Sequence, residues 1–226
     1  MFLIIPAFFV LVIVLIIVGS IQAKKRREGL AAFARQSGLR YNPNKDYSFD
    51  ERYPFFNELR HGSRRYAFNI MTGDYDGRSI VAFDYHYETT SRDSDGDRKT
   101  TSHYFSAVIF QSTLRINGLT IRPEGVFDRM KRLFGFDDID FESAEFSRQF
   151  HVTSADRAVA YDVVQPETME FMLASPRFVL HFERGLVMVM RAGRFEPHDF
   201  HAAMRLVDGV LDRVPRSARE HLEAQV

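Results

Sequence analysis

The acidic segment 137–145 is the first place where residue types and spacing could support catalysis. It lies in the stretch FDDIDFESAEF and contains the carboxylates Asp137, Asp138, Asp140, Glu142 and Glu145. Neighbouring carboxylates catalyse hydrolysis by acid–base chemistry when their environments separate their pKa values. The same pattern is typical of a strand with Ile139 and Phe141 facing inward and the acids facing solvent. The spacing is compatible with both interpretations, and the second needs no special environment.

A histidine pair near the end of the chain could bind a divalent metal. His198 and His201 are three residues apart at the start of a predicted helix, which puts both imidazoles on one face. A zinc site needs a third and usually a fourth ligand, and the spacing identifies neither. The neighbouring Glu196 and Asp199 are typical of an ordinary helix N-terminus. We therefore assign no metal site, and we keep the histidines as candidate partners of the acidic segment.

The stretch RDSDGDR, residues 92–98, is similar to a calcium-binding loop but does not fit one. Counted from Asp93, Gly96 is fourth and Tyr104 is twelfth, whereas an EF-hand needs Gly sixth and Glu twelfth. A solvent-exposed hairpin tip is the better interpretation. No nucleophile elbow, Walker A loop, dinucleotide-binding glycine pattern or zinc-protease motif occurs, and the chain has no Cys. No catalytic, cofactor-binding or metal residue is assigned, which favours a binding role over an enzyme.

An apolar run at the N-terminus is followed at once by a basic cluster. Residues 2–21 contain no charged side chain, and the cluster consists of Lys24, Lys25, Arg26 and Arg27. A helix of about 20 residues spans about 30 Å, the thickness of the hydrocarbon core of a bilayer. Lys and Arg accumulate on the cytoplasmic flanks of membrane segments. The sequence therefore predicts one transmembrane helix in the cell inner (plasma) membrane, with the N-terminus outside, the C-terminal domain cytoplasmic and the four basic residues at the membrane surface.

The main alternative for this run is a cleaved signal peptide, which would export the domain. Signal peptides place basic residues before an apolar core of about 7–15 residues and small residues at the cleavage site. Here no Lys or Arg precedes the run, and the candidate site SIQA has Ile21 where a small residue is preferred. Residues 24–65 carry 11 Lys and Arg against 5 Asp and Glu. A basic segment beside an apolar run suits an anionic membrane surface better than nucleic acid, so we expect no nucleic-acid partner.

Period-two alternation from residue 64 onward predicts an antiparallel sheet. The alternating runs are separated by dipeptides that accept positive φ in tight hairpins, namely Asp76-Gly77, Asp95-Gly96 and Asn117-Gly118. The expected strands of a four-stranded β-meander are 65–73, 78–90, 100–113 and 119–123. A second β-hairpin is expected around Arg184-Gly185. Helical periodicity predicts helices over 126–135, over AEFSRQF and over the last amphipathic stretch, 196–214.

These patterns together predict an α+β fold: an antiparallel β-meander with packed helices and a second β-hairpin, preceded by one N-terminal transmembrane helix. The expected organisation is a transmembrane anchor over 1–23 and a basic juxtamembrane helix and connector over 24–63. An α+β globular domain follows over 64–215, with a C-terminal tail over 216–226.

The segment DFESAEFSRQFHVTSADRAVAYDVVQPETMEFML resembles the signature of an uncharacterised bacterial family of membrane-anchored proteins, known only as a domain of unknown function. The matching positions are Phe141-Glu142-Ser143, Phe146, Phe150, Val152, Asp156, Ala160-Tyr161, Pro166 and Met169-Glu170. The resemblance covers residues 60–192. It implies an N-terminal membrane segment before a soluble α+β domain, and it implies no activity. Members of that family often have two apolar segments, and this sequence has one.

The leading functional hypothesis is a single-pass membrane-anchored protein whose domain binds another protein or the membrane surface. Its expected partners are the lipid bilayer, through residues 2–21, and an unidentified protein. The alternative is a membrane-tethered hydrolase that uses the acidic segment 137–145 together with His198 and His201.

Overall fold

A computed structural model describes residues 4–92, 96–125 and 139–224 of the chain. The helices are α1 (Ile4–Gln36), α2 (Phe49–Arg52), α3 (Asn57–Arg60), α4 (Ala144–Gln149), α5 (Arg157–Val163), α6 (Pro166–Leu173), α7 (Pro197–Asp212) and α8 (Arg216–Ala224). The strands are β1 (Arg40–Asn42), β2 (Ser63–Tyr75), β3 (Arg78–Arg92), β4 (Arg98–Gln111), β5 (Leu119–Pro123), β6 (Phe150–Thr153), β7 (Val179–Glu183) and β8 (Leu186–Ala192). The helix predicted over 126–135 lies outside the described residues, as do Asp137 and Asp138.

The strands form one antiparallel sheet in the order β1-β2-β3-β4-β8-β7-β5-β6. β2, β3 and β4 are a meander, as the alternation indicates. β5 does not pair with β4, because the hairpin β7–β8 lies between them: β8 pairs with β4 and β7 pairs with β5. The prediction of a four-stranded meander with a separate second hairpin is therefore wrong. Alternation identifies strands, but strand order depends on which edges meet across the core, and consecutive strands are neighbours only about two-thirds of the time.

The predicted N-terminal transmembrane helix is also wrong. No helix within the described residues has both the length and the hydrophobicity needed to cross a membrane. α1 is a single helix of 33 residues that continues through the basic cluster and on to Gln36. Its last turns belong to the domain, since Leu30 and Ala34 are buried in the core. The boundary predicted between residues 23 and 24 thus falls inside one continuous helix, and the orientation deduced from it loses its basis.

The sheet buries apolar side chains on both faces. The larger core contains Met71, Ala82 and Val108 and is covered by α1, α7 and the other helices of the C-terminal half. The smaller core contains Phe83 and Tyr85 and is covered by the side chains of α2 and α3. Successive residues of a strand point to opposite faces, so β3 contributes Ala82 to the first core and Phe83 to the second.

The hairpin turns have the backbone geometry that their residues favour. Asp76 and Gly77, between β2 and β3, have φ of 48° and 78°, and Arg184 and Gly185, between β7 and β8, have φ of 52° and 72°. Positive φ at two successive residues is the type I′ arrangement that matches the twist of paired strands. Beyond α7, the segment predicted as a C-terminal tail forms α8, whose Leu222 packs in the larger core.

Candidate functional site

The four basic residues predicted to face a membrane do not share one environment. Lys24, Lys25 and Arg27 are exposed, and the Lys24 side chain is 79% accessible with only a long contact to Glu28, 3.9 Å away. The Arg26 side chain is only 10% accessible. Successive residues of a helix are rotated by about 100°, so four consecutive side chains cannot all point the same way. The prediction of a membrane-surface role stays a prediction for three of them, and Arg26 has a different position.

Arg26 forms a two-pronged salt bridge with Asp84 on β3. Its Nη1 donates to Asp84 Oδ2 at 2.6 Å and its Nη2 donates to Oδ1 at 2.9 Å. Nη2 also donates to the backbone carbonyl of Phe195, just before α7. Such bidentate charge-assisted bonds are among the strongest in proteins and fix the orientation of both groups. Arg26 thereby joins α1, the centre of the sheet and the segment that leads into α7.

The Asp84 carboxylate is fully buried, and neighbouring side chains complete its hydrogen bonds. Asn69 donates through Nδ2 to Oδ2 at 2.8 Å, and Ser106 donates to Oδ1. The hydroxyl of Ser106 also accepts from the backbone N–H of Phe195 at 2.8 Å. A buried charge is tolerated when its lone pairs are satisfied in this way. We call Arg26, Asp84, Asn69, Ser106 and the Phe195 backbone the buried polar network.

A backbone irregularity in β2 brings Asn69 into this network. Asn69 has φ of 50°, and the pairing of β2 with β3 shifts register between Phe68 and Met71. Asn tolerates this left-handed conformation better than most residues. Its Oδ1 accepts a hydrogen bond from the hydroxyl of Tyr41 at 2.8 Å. Burial raises the pKa of Tyr41, and the Asp84 charge adds to that effect while Arg27 opposes it. The phenol therefore stays a donor to the network at neutral pH.

Upstream of Arg26, α1 presents apolar side chains to solvent. Five of them have accessibilities between 44% and 59%: Ile13, Val14, Ile17, Val18 and Ile21. Downstream, α1 packs on the domain, where Phe33 stacks on Phe200 of α7 with ring centroids 6.4 Å apart. We call residues 13–21 the apolar arm. Large aliphatic side chains exposed together are typical of a surface that contacts another apolar phase.

A cleft of about 560 Å³ lies between α1 and the start of α7. Lys25 and Arg26 line it from α1, and Arg194 and Glu196 line it from the other side. Arg194 and Lys25 are exposed, and Arg26 contributes a buried Nε that makes no hydrogen bond. The nearest carboxylate oxygen to that Nε is Glu196 Oε1 at 3.7 Å. The cleft is therefore rich in cationic donors, with one carboxylate opposing them.

An exposed aromatic ring extends this surface along the sheet. The Arg194 guanidinium lies 5.7 Å from the ring centroid of Tyr104, and Tyr104 is 44% accessible. The ring packs beside His86 and Phe68, at centroid distances of 4.9 Å and 6.3 Å. Tyrosines next to cationic side chains are common where proteins meet the headgroup region of a bilayer.

Within the part of the acidic segment that the structure describes, residues 139–145, the acidic side chains are not gathered with a histidine in one cleft. Asp140, Glu142 and Glu145 are exposed, and the side chain of His198 is 81% accessible. The cleft beside Glu142 is lined by residues of α6 and the start of α4, with no histidine among the described residues that line it. His198 instead lies near Asp199, which caps α7 by accepting from the backbone N–H of Glu196.

A carboxylate cluster that the sequence did not indicate lies on the opposite end of α7. Asp76, Asp208 and Asp212 have oxygens close enough to share a metal ion. Arg78 lies between them, paired with Asp208 and with Asp212 Oδ1, the latter at 2.6 Å. Burial raises the pKa of Asp208, and the neighbouring Asp212 and Asp76 add to that while Arg78 opposes it. The Arg78 guanidinium thus already pairs with two of the three carboxylates.

Comparisons with known proteins define the fold class. No family model and no curated protein matches this sequence. Among solved structures, the chain is similar to the mycobacterial trehalose monomycolate transport factor A, TtfA, with a TM-score of 0.59 and 12% sequence identity. The alignment covers 84% of this chain and 96% of the TtfA chain in that structure. At this identity the similarity shows a shared fold, and the resemblance of residues 141–170 to an uncharacterised family stays a prediction.

Proposed function

We propose that this chain is a membrane-surface-binding module that carries its α+β domain to lipid at the cytoplasmic face of the cell membrane. The observation that carries the proposal is the geometry of α1. Aliphatic side chains within residues 13–21 are exposed, and the next turn carries exposed cations together with Arg26, which is bonded to Asp84 in the domain. The turn after that packs Leu30 in the core. Apolar contact followed by basic residues is the combination that binds anionic bilayers.

The expected energies are sufficient for reversible binding. Burying a large aliphatic side chain contributes about 1.5–3 kcal/mol when the whole side chain leaves water, and the arm's side chains are about half exposed in the free chain. Each basic residue near an anionic surface adds about 1 kcal/mol. The cytoplasmic leaflet is the anionic one, so the exposed cations next to the apolar arm favour that face. The shared fold with a trehalose monomycolate transport factor supports a lipid-related role.

Vesicle sedimentation tests this proposal directly. The full chain should pellet with vesicles of phosphatidylcholine and phosphatidylglycerol, and binding should weaken at high salt because exposed charges are screened. Ile17→Gln should lower the partition coefficient by about tenfold, the equivalent of 1.4 kcal/mol. Ser20→Gln is the matched control, since Ser20 lies exposed on the same helix and is already polar. A chain that stays in the supernatant with anionic vesicles would refute the proposal.

We also infer kinship with the uncharacterised bacterial family described above. The shared positions Phe141, Phe146 and Phe150 pack against one another, with ring centroids 5.8 Å apart for the first pair and 4.9 Å for the second. The shared aromatic contacts expected at these positions would pack α4 on the sheet in the same way in this chain and in the family members. A structure of a family member that lacks this aromatic contact would contradict the inference.

A further inference from the structure

We propose that the cleft between α1 and the start of α7 binds a phosphate-type anion, either the headgroup of an anionic lipid or free phosphate. The inference rests on the proposed membrane-surface function and adds the class of ligand and the residues that select it. The cleft opens on the same helix as the apolar arm, since Gly19 lines it and Ile21 follows two residues later. A headgroup in the cleft would thus leave its acyl chains next to the arm.

Two exposed cations from different parts of the chain face the cleft. Lys25 comes from α1, and Arg194 comes from the loop before α7. Arg pairs with phosphate oxygens through its planar fork, and Lys acts as a mobile point charge. The volume of about 560 Å³ is within the range of small-molecule sites. Bringing two cations together is unfavourable unless an anion or solvent compensates them, so this placement suits an anionic ligand.

The buried Nε of Arg26 is an independent indication of a ligand. The two Nη atoms of Arg26 are occupied by Asp84 and the Phe195 carbonyl, whereas its buried Nε has no hydrogen bond. Arg26 is one of the residues that line the cleft. A buried donor without a partner is unfavourable, and an anion oxygen would satisfy it. The first turn of α7, which begins at Pro197 on the same cleft, adds the favourable end of a 16-residue helix dipole.

Glu196 is the carboxylate that opposes this assignment, and it provides a second test. Its Oε1 lies 3.7 Å from Arg26 Nε, and its side chain is 54% accessible. An exposed glutamate can rotate away when an anion enters, at the loss of its capping-box contact with α7 and of the long contact to Arg26. Glu196→Gln removes the opposing charge, so it should strengthen anion binding by about fivefold, the effect of one charge near such a surface.

The decisive experiment compares adjacent lysines in the full chain. Lys25 lines the cleft and Lys24 does not, yet both are exposed cations on one helix. Partition onto phosphatidylglycerol vesicles should fall at least about fivefold more for Lys25→Gln than for Lys24→Gln, and Arg194→Gln should behave like Lys25→Gln. Equal losses for the two lysine variants, with Arg194→Gln unchanged, would overturn the cleft assignment and leave the membrane-surface function standing.

Soluble probes separate the two sources of the anion. Inorganic phosphate and glycerophosphoglycerol are titrated into the full chain while the side-chain N–H resonances of its arginines are followed by NMR. Shifts of the Arg26 Nε–H with both probes support a general phosphate site, and shifts with glycerophosphoglycerol alone support a headgroup site. If vesicle binding fails altogether, the proposed function fails, but an Arg26 shift that disappears in Lys25→Gln still supports the cleft. No shift with either probe overturns it.

Discussion

Replacing Arg26 by methionine should remove a large part of the stability of the domain. Asp84 has no accessible surface, and in Arg26→Met it loses the two charge-assisted bonds of 2.6 Å and 2.9 Å. Asn69 and Ser106 remain as donors, but neither supplies a compensating charge. Removing one partner of a buried ion pair typically costs about 3–5 kcal/mol. That is a large fraction of the 5–15 kcal/mol by which domains of this kind are stable.

Urea unfolding measures this loss. The chain has no Trp and 9 Tyr, so far-UV circular dichroism and tyrosine fluorescence are suitable signals. Lys24→Met is the control, since it makes the same change at an exposed position and should alter the free energy of unfolding by less than about 0.5 kcal/mol. The double variant Arg26→Met with Asp84→Asn removes the unpaired charge as well, so it should recover much of the lost stability. The reasoning is refuted if Arg26→Met costs no more than Lys24→Met, or if Asp84→Asn adds to the loss instead of offsetting it.

Two further predictions concern the strands that hold the network. Gly62→Ala should destabilise the domain by more than Gly77→Ala, as measured by thermal unfolding. Both glycines have positive φ, but a Cβ at Gly62 would lie 2.3 Å from a backbone oxygen of β3, and one at Gly77 would meet open space; equal losses would contradict this. Burial raises the pKa of Tyr85, whose hydroxyl donates to a backbone carbonyl at 2.6 Å. The resulting stabilisation is complete below the unfolded pKa of about 10 and is lost as pH rises towards the folded value. Tyr85→Phe should therefore flatten the alkaline decline of the unfolding free energy, and an unchanged slope would refute the assignment.

The sequence predicts two of the hairpin turns correctly, but Asn117-Gly118 does not connect paired strands, because β4 pairs with β8 and β5 with β7. Asp76-Gly77 joins β2 to β3 and Arg184-Gly185 joins β7 to β8, and all four residues have the positive φ that such turns need. Strand order was not predictable, because the pairing of β4 with β8 joins segments about 80 residues apart in sequence through apolar faces that many strands share. The transmembrane prediction is wrong, since no helix within the described residues is both long and apolar enough to cross a membrane. Sequence also did not reveal that α1 continues through the basic cluster and packs its last turns in the core.

The buried polar network was also beyond sequence reasoning, and the cause is specific. Arg26 stands among three other cations and looks the same as they do, and only its rotation about the helix axis distinguishes it. Asp84 stands in an alternating strand where a polar residue would be expected to face solvent. The positive φ of Asn69 inside β2 is likewise visible only in the structure. Such a residue indicates an irregularity in the sheet, but it does not reveal the partner.

The network explains how an exposed helix can have a defined position on the domain. Apolar packing alone is tolerant, since Leu30 and Ala34 could slide against neighbouring apolar side chains at small cost. The buried salt bridge between Arg26 and Asp84 is less tolerant. Displacing Arg26 by one helical turn, about 5.4 Å, would leave the Asp84 carboxylate in the core without its partner. Buried ion pairs contribute little net stability compared with apolar residues of the same shape, but they penalise incorrect arrangements strongly. Arg26 therefore sets the register of α1, and that register determines which residues face the cleft and where the apolar arm leaves the domain.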